Sequence, residues 1–390
     1  MALVTQIKDI VNDAVHDALG KNVGTTEIET SDIVSLGKAL SAFDAFEGFY
    51  KSLANRIVRT IYFVRTYEAK TRSVMRDEHE FGAFVQKVYY TMPDAVDNAT
   101  FAIPDSNGDY KQQSPYDVEN VVAVSALIYG GQGTWTIEII RPEEQVKSAF
   151  DSESAMMSFI DGIYLTVENA FKLEEERLVA LAVNTSIADS INSGKARNLL
   201  KEYNDAHADA TLTATNCMEN AAFLKYASME INRTVDNMGE MSTVFNAEGY
   251  NTFTNKENLV VEMLSQFASA SEMYLQSDTF HDELVKLPRF EKVPFWQSSG
   301  KTFSFADCST VNIKHDDLVT EENTTGVVNQ SGIICFIHDV ENVACHFGNR
   351  RTWELWNPRS EVMVHGEKAR KGYAVDRYAN AYVFYVADSE

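Results

Sequence analysis

Cys335, His338, Cys345 and His346 stand close together in the sequence, and thiolate and imidazole are the usual ligands of zinc. That set would suit a metal-dependent hydrolase. Its spacing departs from finger patterns, and strand alternation sends the neighbours Cys345 and His346 to opposite faces. The competing reading is buried thiols beside core histidines. Asp105, Asn107 and Asp109 echo the start of a calcium loop. However, Gly108 falls in the fourth place instead of the sixth, and Tyr116 stands where a bidentate Glu belongs, so a turn is expected. Glu174-Glu175-Glu176 beside Arg177 could do acid–base work only in a sheltered cleft, and a solvated helix face is the expectation. His16, His79, His207, His281, His315 and His365 lie scattered, and no GxGxxG, GxxxxGK[ST] or GxSxG motif occurs. These residues predict a protein that is not an enzyme and carries no cofactor.

Two basic clusters remain, one of Arg56, Arg59, Arg65, Lys70, Arg72 and Arg76, the other of Arg350, Arg351, Arg359, Lys368, Arg370 and Lys371. In a chain of net charge −23 such clusters pair with carboxylates of a neighbouring element or subunit; facing DNA is the alternative. The same charge argues against nonspecific binding to phosphates, which needs clustered cations. The candidate intersubunit contacts are Arg72, Arg76, Lys87, Tyr89, Tyr90, Trp135, Arg350, Arg351 and Arg359.

The 390 residues, 45% hydrophobic and 23% charged, allow a large core or two to three domains. The start, Met1-Ala2-Leu3-Val4-Thr5-Gln6, lacks a signal peptide's basic start and apolar run, and no apolar stretch is of membrane length. A soluble chain made in the cytoplasm, with no membrane partner, is expected. Cys217, Cys308, Cys335 and Cys345 read as buried thiols and not as a disulfide framework.

The elements follow from periodicity. Residues 3–19 carry a helical stripe closed by Gly20, and a second runs from Ser31 to Ile57. Extended arms at 74–92 and 118–129 flank the polar stretch 93–117, and Trp135, Ile137 and Ile139 alternate with polar residues after Gly130-Gly131-Gln132-Gly133. Together they make a long hairpin-like excursion that must pack on something else. Ser152 to Val183 carries the strongest helix signal, through Met156, Phe159, Ile160, Ile163, Val167, Phe171, Leu178 and Leu181, with Ser152 as N-cap. A helix is expected at 220–232, a strand at 257–264, a helix at 265–274, and a strand or its flank around Phe290 to Trp296. Two strands at 333–337 and 343–347 and a single final buried strand at 373–386 complete the reading.

This order of elements resembles the major capsid proteins of tailed phages with the Hong Kong 97-type fold, and most nearly the phi-29-type podovirus major head proteins. The segment FDAFEGFYKSLANRIVRTIYF at 43–63 carries the likeness, as does the stretch 351–386, where Trp356-Asn357-Pro358-Arg359 precedes Asp376-Arg377-Tyr378-Ala379-Asn380-Ala381. The run 257–296, with FHDELVKLP and FEKVPFW, also looks like this family's central domain. An encapsulin-like compartment shell protein shares the fold and is the runner-up.

The resemblance implies an α+β chain in four parts. These are an N-terminal arm at 1–40, a peripheral domain with a long spine helix at 41–66, 141–184 and 340–390, an extended loop at 67–140, and an axial domain at 185–339. It implies self-assembly into hexamers and pentamers of an icosahedral shell enclosing double-stranded DNA, held without sequence-specific binding. Scaffold, portal and minor capsid proteins are the further partners implied, with the virion capsid as location after assembly in the host cytoplasm. Crosslinking between subunits, used by some relatives, needs a Lys and an Asn; nothing singles out Lys87 and Asn357 for it. Flexing of the excursion at Gly130, Gly131 and Gly133 is expected to matter for shell closure.

Overall fold

The stretch Ile333–Asp339 reads Ile-Ile-Cys-Phe-Ile-His-Asp, apolar with little alternation, and a strand of that kind belongs where both faces are covered. The computed structural model puts it there. It describes residues 85–90, 124–129, 132–142, 153–207, 211–278, 288–297, 303–314, 327–357, 359–360 and 362–388. The expected helices at 3–19 and 31–57 and the calcium-like turn at 105–109 lie outside these residues.

Twelve strands are described: β1 (Val85–Tyr90), β2 (Val124–Tyr129), β3 (Gln132–Pro142), β4 (Ala196–Asn198), β5 (Leu259–Leu264), β6 (Glu291–Val293), β7 (Val311–Lys314), β8 (Val327–Gln330), β9 (Ile333–Asp339), β10 (Val343–Asn357), β11 (Val362–Val375) and β12 (Ala381–Tyr385). The main helices are α1 (Glu153–Asn192), α2 (Leu199–Ala206), α3 (Ala221–Asn237) and α4 (Ser265–Asp278). Backbone proximity divides the chain into two units. The first comprises residues 1–79, 132–179 and 345–372; the second comprises 80–131, 180–344 and 373–390.

In the first unit a sheet of order β10-β11-β3 forms, with β3 and β11 antiparallel along their whole shared length. Trp135, Ile137 and Ile139 of β3 pack on Val167 and Phe171 of α1, while Thr134, Thr136 and Glu138 are exposed. The expected alternation is therefore present, and it is paired within the chain. Ala369 stands opposite Trp135, a small residue making room for a large one. Fully burying a ring such as Phe171 is worth about 1.5–3 kcal/mol.

The second unit is built on a five-stranded sheet of order β4-β12-β9-β5-β6. β9 runs antiparallel to both its neighbours, whereas β4 pairs with β12 and β5 with β6 in parallel. All of β9 from Ile333 to His338 is buried. Helices α2 and α3 open on Asn198 and Asn220, whose side chains accept the Lys201 and Phe223 amides at 3.2 and 3.0 Å. Two further antiparallel pairs, β1 with β2 and β7 with β8, belong to this unit.

Three expectations need correction. The long helix runs to Asn192, beyond Val183, and residues 182–190 are buried although several are polar. Those polar groups are satisfied: Asn184 donates to the Trp296 carbonyl at 2.8 Å, Thr185 to the Leu181 carbonyl at 2.7 Å, and Ser190 to the Ser186 carbonyl at 2.9 Å. Likewise β10 continues past Phe347 to Asn357. The single final strand is two strands, β11 and β12, separated by a turn at 376–380. Asp376 closes that turn by accepting the Tyr378 amide at 2.9 Å, and Asn342 donates to the Asp376 carbonyl at 2.8 Å.

Candidate functional site

In the first unit the sequence candidates Trp135 and Arg350 meet around one ring. Trp135 sits edge-on to Phe171 with centroids 4.9 Å apart, and Phe347 lies 6.2 Å from Trp135 on β10. The Arg350 guanidinium covers the Phe171 ring, and its Nε donates to the buried Glu367 carboxylate at 2.8 Å. Both residues thus make intrachain contacts that fix the sheet on α1. Arg351 and Arg359 are exposed, and so are Lys368 and Arg370, which stand in register with Thr136 and Thr134 on the sheet's outer face. Over that face Trp353 covers Gly366, where an added Cβ would lie 2.2 Å from the indole.

Lys87, Tyr89 and Tyr90 fall on β1, opposite Leu127, Ser125 and Val124 of β2. Arg72 and Arg76 lie outside the described residues. The acidic run on α1 is divided. Glu174 pairs with Arg177 at the surface, and Glu176 is exposed, but Glu175 is 95% buried, on the stripe of Phe171 and Leu178. Glu175 stands four residues after Phe171 and three before Leu178, so it shares their buried face.

The zinc reading has no assembled ligand set. Cys335 and His338 belong to β9, in the second unit, while Cys345 and His346 belong to the part of β10 in the first unit. Burial pushes the Cys335 thiol well up and the Cys345 thiol up to about 12. Among the described residues no group of three or more His, Cys, Asp or Glu is placed to hold a metal ion. No helix among them is long and apolar enough to cross a membrane.

Charged groups inside the second unit serve architecture. Arg377 reaches Asp189 at 3.1 Å and Glu248 at 2.7 Å, tying the 376–380 turn to the end of α1 and to the loop after α3. Arg197 of β4 bonds Glu202 and Glu230, and the hydrogen bond to Glu202, with that residue's charge, raises its already high pKa. His338 donates Nδ1–H to the Asp339 carbonyl at 2.8 Å, which leaves Nε2 facing the buried Glu262 at 4.0 Å. Burial and the neighbouring Glu262 raise the Glu291 carboxyl above its ordinary value. None of these groups lines a site with a nucleophile and a base in reach of each other.

Exposed apolar side chains on the second unit include Met241, Val244, Phe253, Phe295 and Phe303, of which only Phe295 lies in a stretch with a strand signal. The others sit in polar, loop-like stretches with no periodicity, so only their exposure marks them out.

Comparison with known proteins places this fold. Among curated proteins none matches the chain in sequence. In structure it is similar to the capsid of Staphylococcus phage Andhra, at TM-score 0.50 and 11% identity, over 80% of this chain and 82% of that one. A chain in the structure of the head fiber and inner core protein gp22 of native bacteriophage P68 is similar at TM-score 0.51 and 11% identity, over 80% and 83% of the two chains. The α+β fold is thus the Hong Kong 97-type fold of phage capsids. The model of the Phi29-like phage major capsid protein family matches residues 11–385. The chain belongs to that family: it is a major capsid protein, a structural subunit of a phage shell that assembles with copies of itself in the virion capsid.

Proposed function

We propose that copies of this chain close as hexamers and pentamers into an icosahedral shell around double-stranded DNA, and that no enzymatic step is involved. The family match across 11–385 carries this reading. Residues 1–40 form an arm that clasps a neighbour, and 67–140 an extended loop whose part before β3 is laid over an adjacent subunit, β3 itself being held in the sheet on α1. Residues 41–66, 141–184 and 340–390 make the peripheral domain and 185–339 the axial domain around the fivefold and sixfold axes, with β12 crossing back into the axial sheet between β4 and β9. The β1–β2 pairing supports a two-stranded excursion, and the three-stranded sheet on α1 supports a rigid peripheral body. Each subunit offers heterologous contacts that close into rings and then a shell.

On this reading Arg72, Arg76, Lys87, Tyr89 and Tyr90 contact the neighbour from the excursion, and the exposed Arg351 and Arg359 from the peripheral sheet. Trp135 and Arg350 contribute from beneath by holding that sheet on α1. The net charge of −23 keeps acidic inner surfaces from trapping DNA. Assembly takes place in the host cytoplasm, with scaffold, portal and minor capsid proteins as partners.

Negative-stain electron microscopy of the protein expressed alone and with its scaffold tests the proposal. Closed icosahedral particles or capsomer rings are expected. Persistent monomers under both conditions would overturn it.

A further inference from the structure

The second unit's five-stranded sheet has two chemically different ends. β9 is 7 residues long, so the ends stand about 20 Å apart. At one end lie Asp339, Leu259 and Ala381. There the loop after α3 is fastened: Ala381 donates to the Phe245 carbonyl at 2.8 Å, Thr254 to Asp339 Oδ2 at 2.6 Å, and Val340 to the Asn258 carbonyl at 2.9 Å. Ser242 and Thr252 exchange both backbone hydrogen bonds in an antiparallel bridge, which sets Met241 across from Phe253. These two are 48% and 50% exposed, and Val244 beside them is 55% exposed.

At the other end lie Ile333, Leu264 and Val293. Ile333 donates to the Ser309 carbonyl at 3.0 Å and accepts the Trp296 indole N–H at 2.9 Å. The adjoining strand of chain presents Phe295, and Gln266 of α4 holds the carbonyl of Phe303 at 3.1 Å. Phe303 is 78% exposed and Phe295 is 40% exposed. Single exposed apolar residues are ordinary, but grouped aromatic and methionine side chains held on ordered backbone mark contact surfaces.

From this we infer that the two ends are the halves of one head-to-tail contact, the Met241–Phe253 end of one copy seating on the Phe303–Phe295 end of the next. The inference rests on the shell reading above and specifies one of its contacts. A second copy is the occupant because the chain assembles with itself, and a contact that seats one end of this unit on the opposite end of the next copy is heterologous, the kind that closes rings. A twofold pairing could also seat the two ends on each other, but it stops at a dimer, whereas a shell needs contacts that continue from copy to copy. Each patch, of two or three side chains, offers a few hundred Å2 at most, well short of the roughly 800 Å2 per partner of a stable binary complex. The contact therefore holds in a ring, where other contacts between the same copies add to it, and not in an isolated pair.

The test uses the full chain assembled into particles. Cys217, Cys308, Cys335 and Cys345 are all buried, so introduced surface thiols report alone. A chain carrying both Phe253→Cys and Phe303→Cys is expected to give a ladder of covalent oligomers on mild oxidation, while either single variant stays monomeric on a denaturing gel. Phe253→Ser and Phe303→Ser are each expected to lower particle yield at least about ten-fold, with subunit thermal unfolding unchanged because both side chains are exposed. Particles of the double-cysteine chain that give no ladder, or a dimer from a single-cysteine chain, would overturn the contact. If the unaltered chain forms no particles or rings, the shell reading fails instead.

Discussion

The Arg350 guanidinium lies 3.5 Å from the centre of the Phe171 ring while its Nε bonds the Glu367 carboxylate. One cation thus serves a π face and a buried anion, and it draws β10, β11 and α1 together. Glu367 is only 1% exposed, so removing Arg350 takes the full cation from a buried carboxylate and leaves it facing the His365 imidazole, 3.6 Å away. Arg350→Met is expected to destabilise the subunit by about 3–5 kcal/mol, and adding Glu367→Leu should recover most of that loss. Arg350→Lys, which keeps the charge but loses the planar fork, should fall between wild type and Arg350→Met. Urea unfolding of the four chains checks the order.

Gly332 and Gly194 have nearly the same backbone angle, φ 78° and 72°, and very different surroundings. At Gly194, in the turn after α1, a Cβ meets nothing within 4 Å; at Gly332 it would come within 1.9 Å of the Val386 carbonyl oxygen. Gly194→Ala should cost about 1–2 kcal/mol, the left-handed penalty alone. Gly332→Ala should cost clearly more, because the amide of Val386 bonds the Gly332 carbonyl at 2.8 Å and the two segments cannot separate without losing that bond. Equal losses in thermal unfolding would refute the steric account.

The Glu291 carboxyl is raised, first by burial and then by Glu262 across the strand pair. A carboxyl raised in the folded state binds its proton more tightly there. Its contribution to stability is therefore full below the unfolded value of 4.5 and is lost as pH rises through the folded value. Glu291→Gln should raise the unfolding midpoint at about pH 7 and leave it unchanged at about pH 4. A gain that persists at the lower pH would show that the effect is not titration.

Thiol chemistry offers a further check. Burial pushes the Cys217 and Cys345 thiols up to about 12 and Cys335 well above its ordinary range. Native protein should react with iodoacetamide more than about 100-fold more slowly than denatured protein at the same pH, since only the thiolate attacks. Rapid labelling of Cys335 in intact subunits would contradict its place in the middle of the sheet.

The sequence made some elements plain. Asn220 before Ala221 announces α3, the run from Leu259 announces β5, and the apolar block from Ile333 announces a strand covered on both faces. It concealed others for a common reason. Residues 184–190 look like the end of a helix because they are polar, yet Trp296 and Arg377, remote in sequence, take up Asn184 and Asp189. The strand expected at 343–347 stops before Gly348-Asn349-Arg350-Arg351, yet Glu367 neutralises Arg350 and the strand runs on. Local periodicity cannot register a partner supplied from far along the chain. Trp135 and Arg350, proposed as contacts between subunits, have intrachain partners in the structure, whereas Phe253 and Phe303 carry no local signal of their exposure.

The order of the five-stranded sheet has a consequence for synthesis. β12, the final strand, is not at an edge: it lies between β4 and β9, with Val383 beside Ala196 on one side and Phe336 on the other. A nascent chain still threaded through the ribosome at that point holds a sheet with a slot through its middle. The unit then completes only when translation has passed residue 385, and its two ends take their final places together. A copy truncated before β12 would lack the strand that joins β4 to β9, and this sheet would stay open there.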